Sequence, residues 1–205
     1  MATKYDFPDV REQLLHRLEE AYPTKWEACR TAKVLGEDVF GSPKPHPNEV
    51  LNLFLQQNVR FAIPVAAYRA GLGEFSSLVS SKPGMDLPRL ALASVLYGMY
   101  VIRNEVSRRA RSIVCDVSLK GCPDGKCVVN GGVKSPKQRA EGMNKIYDVM
   151  VNGGSKGDVL SALLLGDFVC ASCAAAAGKE YDRLRVAVWE NLPRIFRVSS
   201  SWEEV

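Results

Sequence analysis

The chain has 205 residues, of which 46% are hydrophobic and 24% charged, a balance that suits a folded globular protein and excludes wholesale disorder and collagen-like or coiled-coil architectures. Lysine and arginine number 27 against 23 aspartates and glutamates, too small an excess to argue for nucleic acid by itself. The opening Met1 to Asp6 lacks the apolar stretch of a secretory signal, and the longest uncharged apolar run, Leu90 to Ile102, is well short of the roughly 20 residues that cross a bilayer.

Val10, Leu14, Leu18 and Tyr22 recur every four residues among Arg11, Glu12, Arg17, Glu19 and Glu20. That spacing predicts an amphipathic helix with one buried stripe, entered at Pro8 and Asp9 and stopped by Pro23. Trp26 and Cys29 fall on a short helical or irregular piece. Pro43, Pro45 and Pro47 make a stiff, extended connector. A helical pair follows. Val50, Leu53 and Phe54 form the apolar face of its first member, Asn58 to Arg60 the turn, and Pro64 to Gly71 the second member with Val65, Tyr68 and Leu72.

Ser76 to Gly84 reads as a loop. Leu87 and Pro88 open the longest helical stretch, toward Val114. Its first part is apolar all round and is expected to be a central, buried helix, in which a charge at Leu96 would be ruinous. Its second part, Arg103 to Arg111, is basic and is expected in solvent. Cys115 to Ser135 has the turn chemistry of irregular chain. Met143, Ile146, Tyr147 and Met150 give another helical stripe, Val159 to Val169 another apolar segment, and Tyr181, Leu184, Val188 and Leu192 the last helix, ended by Pro193. No region alternates with period two. The expectation is an all-α single domain of six to seven helices with an irregular cysteine-containing loop.

Six cysteines without a secretory signal are expected to be reduced, in an intracellular setting. Cys122 and Cys127 flank a tight turn, and Cys170 and Cys173 lie one helical turn apart. Two close pairs from distant parts of a chain suit a tetrahedral, structural zinc site, because four thiolates leave no position open for water. The alternative is that these thiols pack as small hydrophobes. Spacing alone leaves both open.

Catalysis is poorly provided for. His16 and His46 are the two histidines, and neither has a nucleophile nearby. The stretches Gly131 to Ser135 and Gly153 to Asp158 lack the spacing and the strand of a phosphate loop. Arg103, Arg108, Arg109 and Arg111, with Arg183, Arg185, Arg194 and Arg197, read as solvated helix faces. The aromatic interleaving of a single-strand binder is missing.

Three stretches together resemble a known pattern. Ala2-Thr3-Lys4-Tyr5-Asp6-Phe7-Pro8-Asp9-Val10-Arg11, followed by Leu14-Leu15, resembles the closing helices of a BTB/POZ domain. Tyr22-Pro23-Thr24, then Phe61 with Ile63-Pro64-Val65-Ala66-Ala67-Tyr68, then Cys170 and Cys173, then Trp189-Glu190-Asn191-Leu192-Pro193 with Phe196, resemble the helical extension behind that domain in basidiomycete proteins. The resemblance implies a boundary near residue 24, with 1–24 as the last BTB helices and 25–205 as the extension. It implies a non-enzymatic intracellular protein–protein interaction module of fungal type. The strands and helices of the BTB dimer surface would lie upstream, so dimerisation and recruitment of a ubiquitin ligase are not carried over, and a monomer or weak self-associate is expected. The competing reading is a zinc-stabilised helical module that binds an acidic partner such as nucleic acid.

Overall fold

In the computed structural model the described residues are 8–31, 45–72, 78, 86–119, 141, 144 and 171–205. Among them are seven α-helices and no strand, so the protein is all-α. The helices are α1 (Pro8–Ala21), α2 (Trp26–Thr31), α3 (Pro47–Gln56), α4 (Ile63–Gly71), α5 (Arg89–Leu119), α6 (Ala171–Glu190) and α7 (Leu192–Ile195). Short 3-10 turns span Arg60–Ala62 and Trp202–Glu204. The chain divides into two compact units, residues 1–99 with 189–205 and residues 100–188.

The first unit is built on the hairpin of α3 and α4. His46 caps α3: its Nδ1 accepts from the Asn48 amide at 3.2 Å, while the Glu49 carboxylate accepts from the His46 amide at 3.0 Å. Pro47 fills the first helical position, where no amide is needed. The turn reverses at Asn58, which sits at φ 54, a left-handed conformation that asparagine tolerates. Pro64 lies in the first turn of α4, as its position in the sequence predicts. Val65, Ala66, Ala67, Tyr68 and Ala70 are all buried, so small residues let neighbouring chain approach α4 closely.

Trp189 is the hub of this unit. It is 1% exposed and tilts against Trp26 at 5.5 Å and Tyr68 at 6.5 Å between ring centroids. Its indole N–H donates to the Thr24 carbonyl, and its own carbonyl accepts from the Trp202 indole, each at 3.0 Å. A buried indole needs such a partner, because an orphaned donor would cost about 1–3 kcal/mol. Tyr22 meets Phe54 edge to face at 4.9 Å.

Three sequence expectations need correction here. The stripe on α1 is buried only at its end, where Ala21 and Tyr22 are covered, while Val10 and Leu14 are exposed. On α3 the buried set is Val50, Leu51 and Phe54, and Leu53 faces out. Most consequentially, the first part of α5 is not buried all round. Val95, Gly98 and Met99 face inward, whereas Leu90, Leu96, Tyr97 and Tyr100 are exposed. The apolar run has one anchored side and one open side. Leu96 lies on the edge of the open side.

The anchored side is fixed by the end of the chain. The Ser94 hydroxyl donates to the Phe196 carbonyl at 2.6 Å. The Phe196 ring lies over Gly98, where a Cβ would come 3.1 Å from Cζ and closer still to Cε1 and Cδ1. Pro193 stands in the first turn of α7, so it begins a helix after the break at Asn191.

In the second unit the inward stripe of α5 continues through Ile102, Val106, Ala110 and Ile113. Helix α6 buries Ala177, Tyr181, Leu184 and Val188, the stripe its spacing predicts. Arg185 is buried too, paired with Asp182 and stacked 5.4 Å from the Tyr181 ring, as a desolvated charge requires. Cys115, expected in irregular chain, is helical because α5 runs to Leu119. The predicted stripe at Met143 to Met150 and the segment Val159 to Val169 lie outside the described residues, Asn144 excepted.

Candidate interaction surface

The proposed metal ligands Cys122, Cys127 and Cys170 lie outside the described residues, and Cys173 is placed on α6 without a described side chain. Among the described residues no three His, Cys, Asp or Glu side chains stand together as a metal would require. Cys29 is half-buried on α2. The two glycine-bearing stretches at 131–135 and 153–158 also fall outside.

The histidines have structural places. His16 is exposed and lies 3.5 Å from the Glu20 carboxylate, one turn on. His46 is the α3 cap already described. Arg69 is a half-buried charge of the first unit. Its guanidinium sits 4.3 Å over the Tyr22 ring and donates to the Ala21 carbonyl at 2.8 Å. Burial pulls Arg69 below the usual guanidinium range, opposed by Tyr22 and then by Cys29. Burial likewise pushes the Tyr22 hydroxyl above the usual phenol range, with the Arg69 charge opposing. This cluster ties α1 to α4.

The arginines divide into two kinds. Arg108 and Arg109 share Glu105, at 2.8 and 3.1 Å, and Arg183 meets Glu180 at 2.5 Å. Hydrogen bonds from Arg108 first, then Arg109, hold the Glu105 carboxyl below the usual carboxylate range. Together with the Arg185 pair, these contacts neutralise four of the described arginines of the second unit locally. Arg89 and Arg197, in the first unit, have no ion-pair partner among the described residues. Arg197 instead stacks 4.6 Å over the Tyr97 ring.

The surface feature that remains is the open side of α5. In the first unit Leu90 is 87% exposed and Tyr97 48%, and Leu96 lies beside them. Single exposed apolar residues need no explanation, but several on one helix face do. The signal that finds this face is in the basic half of the helix. There Val106, Ala110 and Ile113 are the inward residues, and stepping back from them by three and four gives Ile102, Met99 and Val95. On the opposite side of the run, Leu90, Ala93, Leu96 and Tyr97 then point outward.

No protein-family model, curated protein or solved structure matches the chain. None of the described helices is long and apolar enough to cross a membrane.

Proposed function

We propose that the protein is a non-enzymatic intracellular protein–protein interaction module, the helical extension of a BTB-type protein of fungal origin. The observation that carries this reading is the open apolar side of α5, a row of leucine and tyrosine held on a helix whose opposite side is packed. A rigid helix presenting aromatic anchors binds at low entropic cost. The Arg69 and Tyr22 pair and the capping role of His46 fit a scaffold better than a catalyst. Zinc bound by Cys122, Cys127, Cys170 and Cys173 belongs to the same proposal, as a structural staple for the chain between α5 and α6.

A photo-crosslinking amino acid placed at Tyr97 tests the interaction reading in cells. A discrete adduct at Tyr97, absent when the crosslinker sits at exposed Glu190, supports it. Equal, diffuse labelling at both positions overturns it. Elemental analysis of protein purified without chelator tests the zinc: close to one ion per chain, with melting lowered by chelator and by Cys173→Ser but not by Cys29→Ser, is the expected result.

A further inference from the structure

We propose that the Leu90–Tyr97 face of α5 takes an acidic amphipathic helix of a partner protein, an inference that rests on the interaction reading above and names the partner's chemistry. Leu90, Ala93 and Tyr97 follow one another at three- and four-residue steps, so they share one face, with Leu96 on its flank. The face is about 10 Å long, which matches two turns of a docked helix presenting apolar residues at the same steps.

Charge selects among partners. From Arg89 to Asn104 the sequence contains no aspartate or glutamate. Arg89 and Arg197, both exposed, lack ion-pair partners among the described residues, and neither Asp86 nor Glu190 reaches them. On α5 and α6, Arg108, Arg109 and Arg183 are matched with carboxylates one turn away. Arg89 and Arg197 flank the open apolar face without such a match, and the anions they lack would come from the partner.

Arg197 is also held in place at a cost. It occupies a left-handed conformation, φ 59, just after α7, where glycine is the favoured residue. The turn is closed by the Val198 amide on the Pro193 carbonyl at 2.8 Å and the Arg197 amide on the Arg194 carbonyl at 3.1 Å. This geometry lays the guanidinium on the Tyr97 ring at an exposed position. A guanidinium so placed contributes both to the apolar platform and to carboxylate recognition.

The test uses the full chain and a fluorescent synthetic helix of about 16 residues, with leucines at i, i+3, i+7 and i+10 and glutamates elsewhere. Saturable binding with a dissociation constant on the order of 10 μM is expected, with none for a scrambled peptide of the same composition. Leu90→Asp and Tyr97→Ala, at exposed positions, should each weaken binding about tenfold. Arg197→Gly should weaken it about fivefold while leaving the melting temperature unchanged or higher, because glycine suits the left-handed site. Equal binding of the scrambled peptide, or indifference to all three variants, overturns the proposal. So does binding to phosphatidylserine vesicles instead of the peptide, or a micromolar dimer abolished by Leu90→Asp, which would assign the face to a membrane or to a second copy. A Tyr97 crosslink to a basic or uncharged protein would overturn the acidic partner and leave the interaction module standing.

Discussion

Gly98→Ala sets two known effects against each other. In the middle of a helix, alanine is better than glycine by about 1 kcal/mol. At Gly98, however, the new methyl would lie 2.5 Å from Cδ1 of Phe196 and 3.1 Å from its Cζ, where ordinary carbon contacts begin beyond 3.4 Å. The obstacle is the body of a ring that is 3% exposed, and the backbone of the same residue is tied to Ser94. Neither can yield cheaply. Overpacking of this kind costs roughly 1–3 kcal/mol, and a ring edge belongs at the upper end. The net expectation is a loss of about 2 kcal/mol, or a melting temperature lower by about 4–8 °C. Gly178→Ala is the internal control, because nothing lies within 4 Å of its new methyl. It should gain up to about 1 kcal/mol. Thermal unfolding of the two variants beside the parent protein decides the matter. If the Phe196 ring is the obstacle, Phe196→Leu should shrink the loss caused by Gly98→Ala; if Gly98→Ala stabilises as much as Gly178→Ala, the packing of Phe196 on α5 is wrong.

Three further outcomes are expected. Val95→Asp, at a position 1% exposed, should cost several kcal/mol and abolish cooperative unfolding, whereas Leu96→Asp, on the open side, should shift the midpoint by less than about 1 kcal/mol; comparable denaturant midpoints for the two would contradict the two-sided helix. His46→Ala should lose about 1 kcal/mol and His46→Asp much less, since aspartate restores the cap acceptor. Because burial raises the Tyr22 hydroxyl, the unfolded chain ionises first as pH climbs past the usual phenol value of about 10. The contribution is therefore complete below that pH and lost above it, and Tyr22→Phe should make the alkaline fall in stability shallower.

Much of the helical order was legible because punctuation and period agreed. Pro64 and Gly71 bracket α4, and Tyr181, Leu184 and Val188 repeat at the spacing of a single buried stripe on α6. The first part of α5 defeated the same reasoning. A window in which nearly every residue is apolar has no period, so it cannot say which side is covered. On α1 the period is present and still misleads, because Val10 and Leu14 show which residues share a face and say nothing about whether anything packs there. His46 was hidden for another reason. Histidine is outside the usual set of cap residues, although Pro47 and Glu49 occupy the positions a capped helix favours. The site proposed on sequence grounds, the four cysteines, falls where three of them are outside the described residues, so its fate rests on metal analysis.

Arg197 was the least legible residue, and the packing explains why it matters. Nothing in Arg194-Ile195-Phe196-Arg197 signals a left-handed residue, since glycine is absent. Its position follows from contacts one and two places away in space. Phe196 sets its ring into the gap left by Gly98 and its carbonyl on Ser94, two anchors one turn apart on α5. With residue 196 fixed at both points, residue 197 emerges beside Tyr97, and the left-handed turn lays its guanidinium on that ring. The charge at the open face is thus set by a small residue on the closed one. A methyl at Gly98 would act on the surface through Phe196, and a change at Arg197 would leave the core untouched.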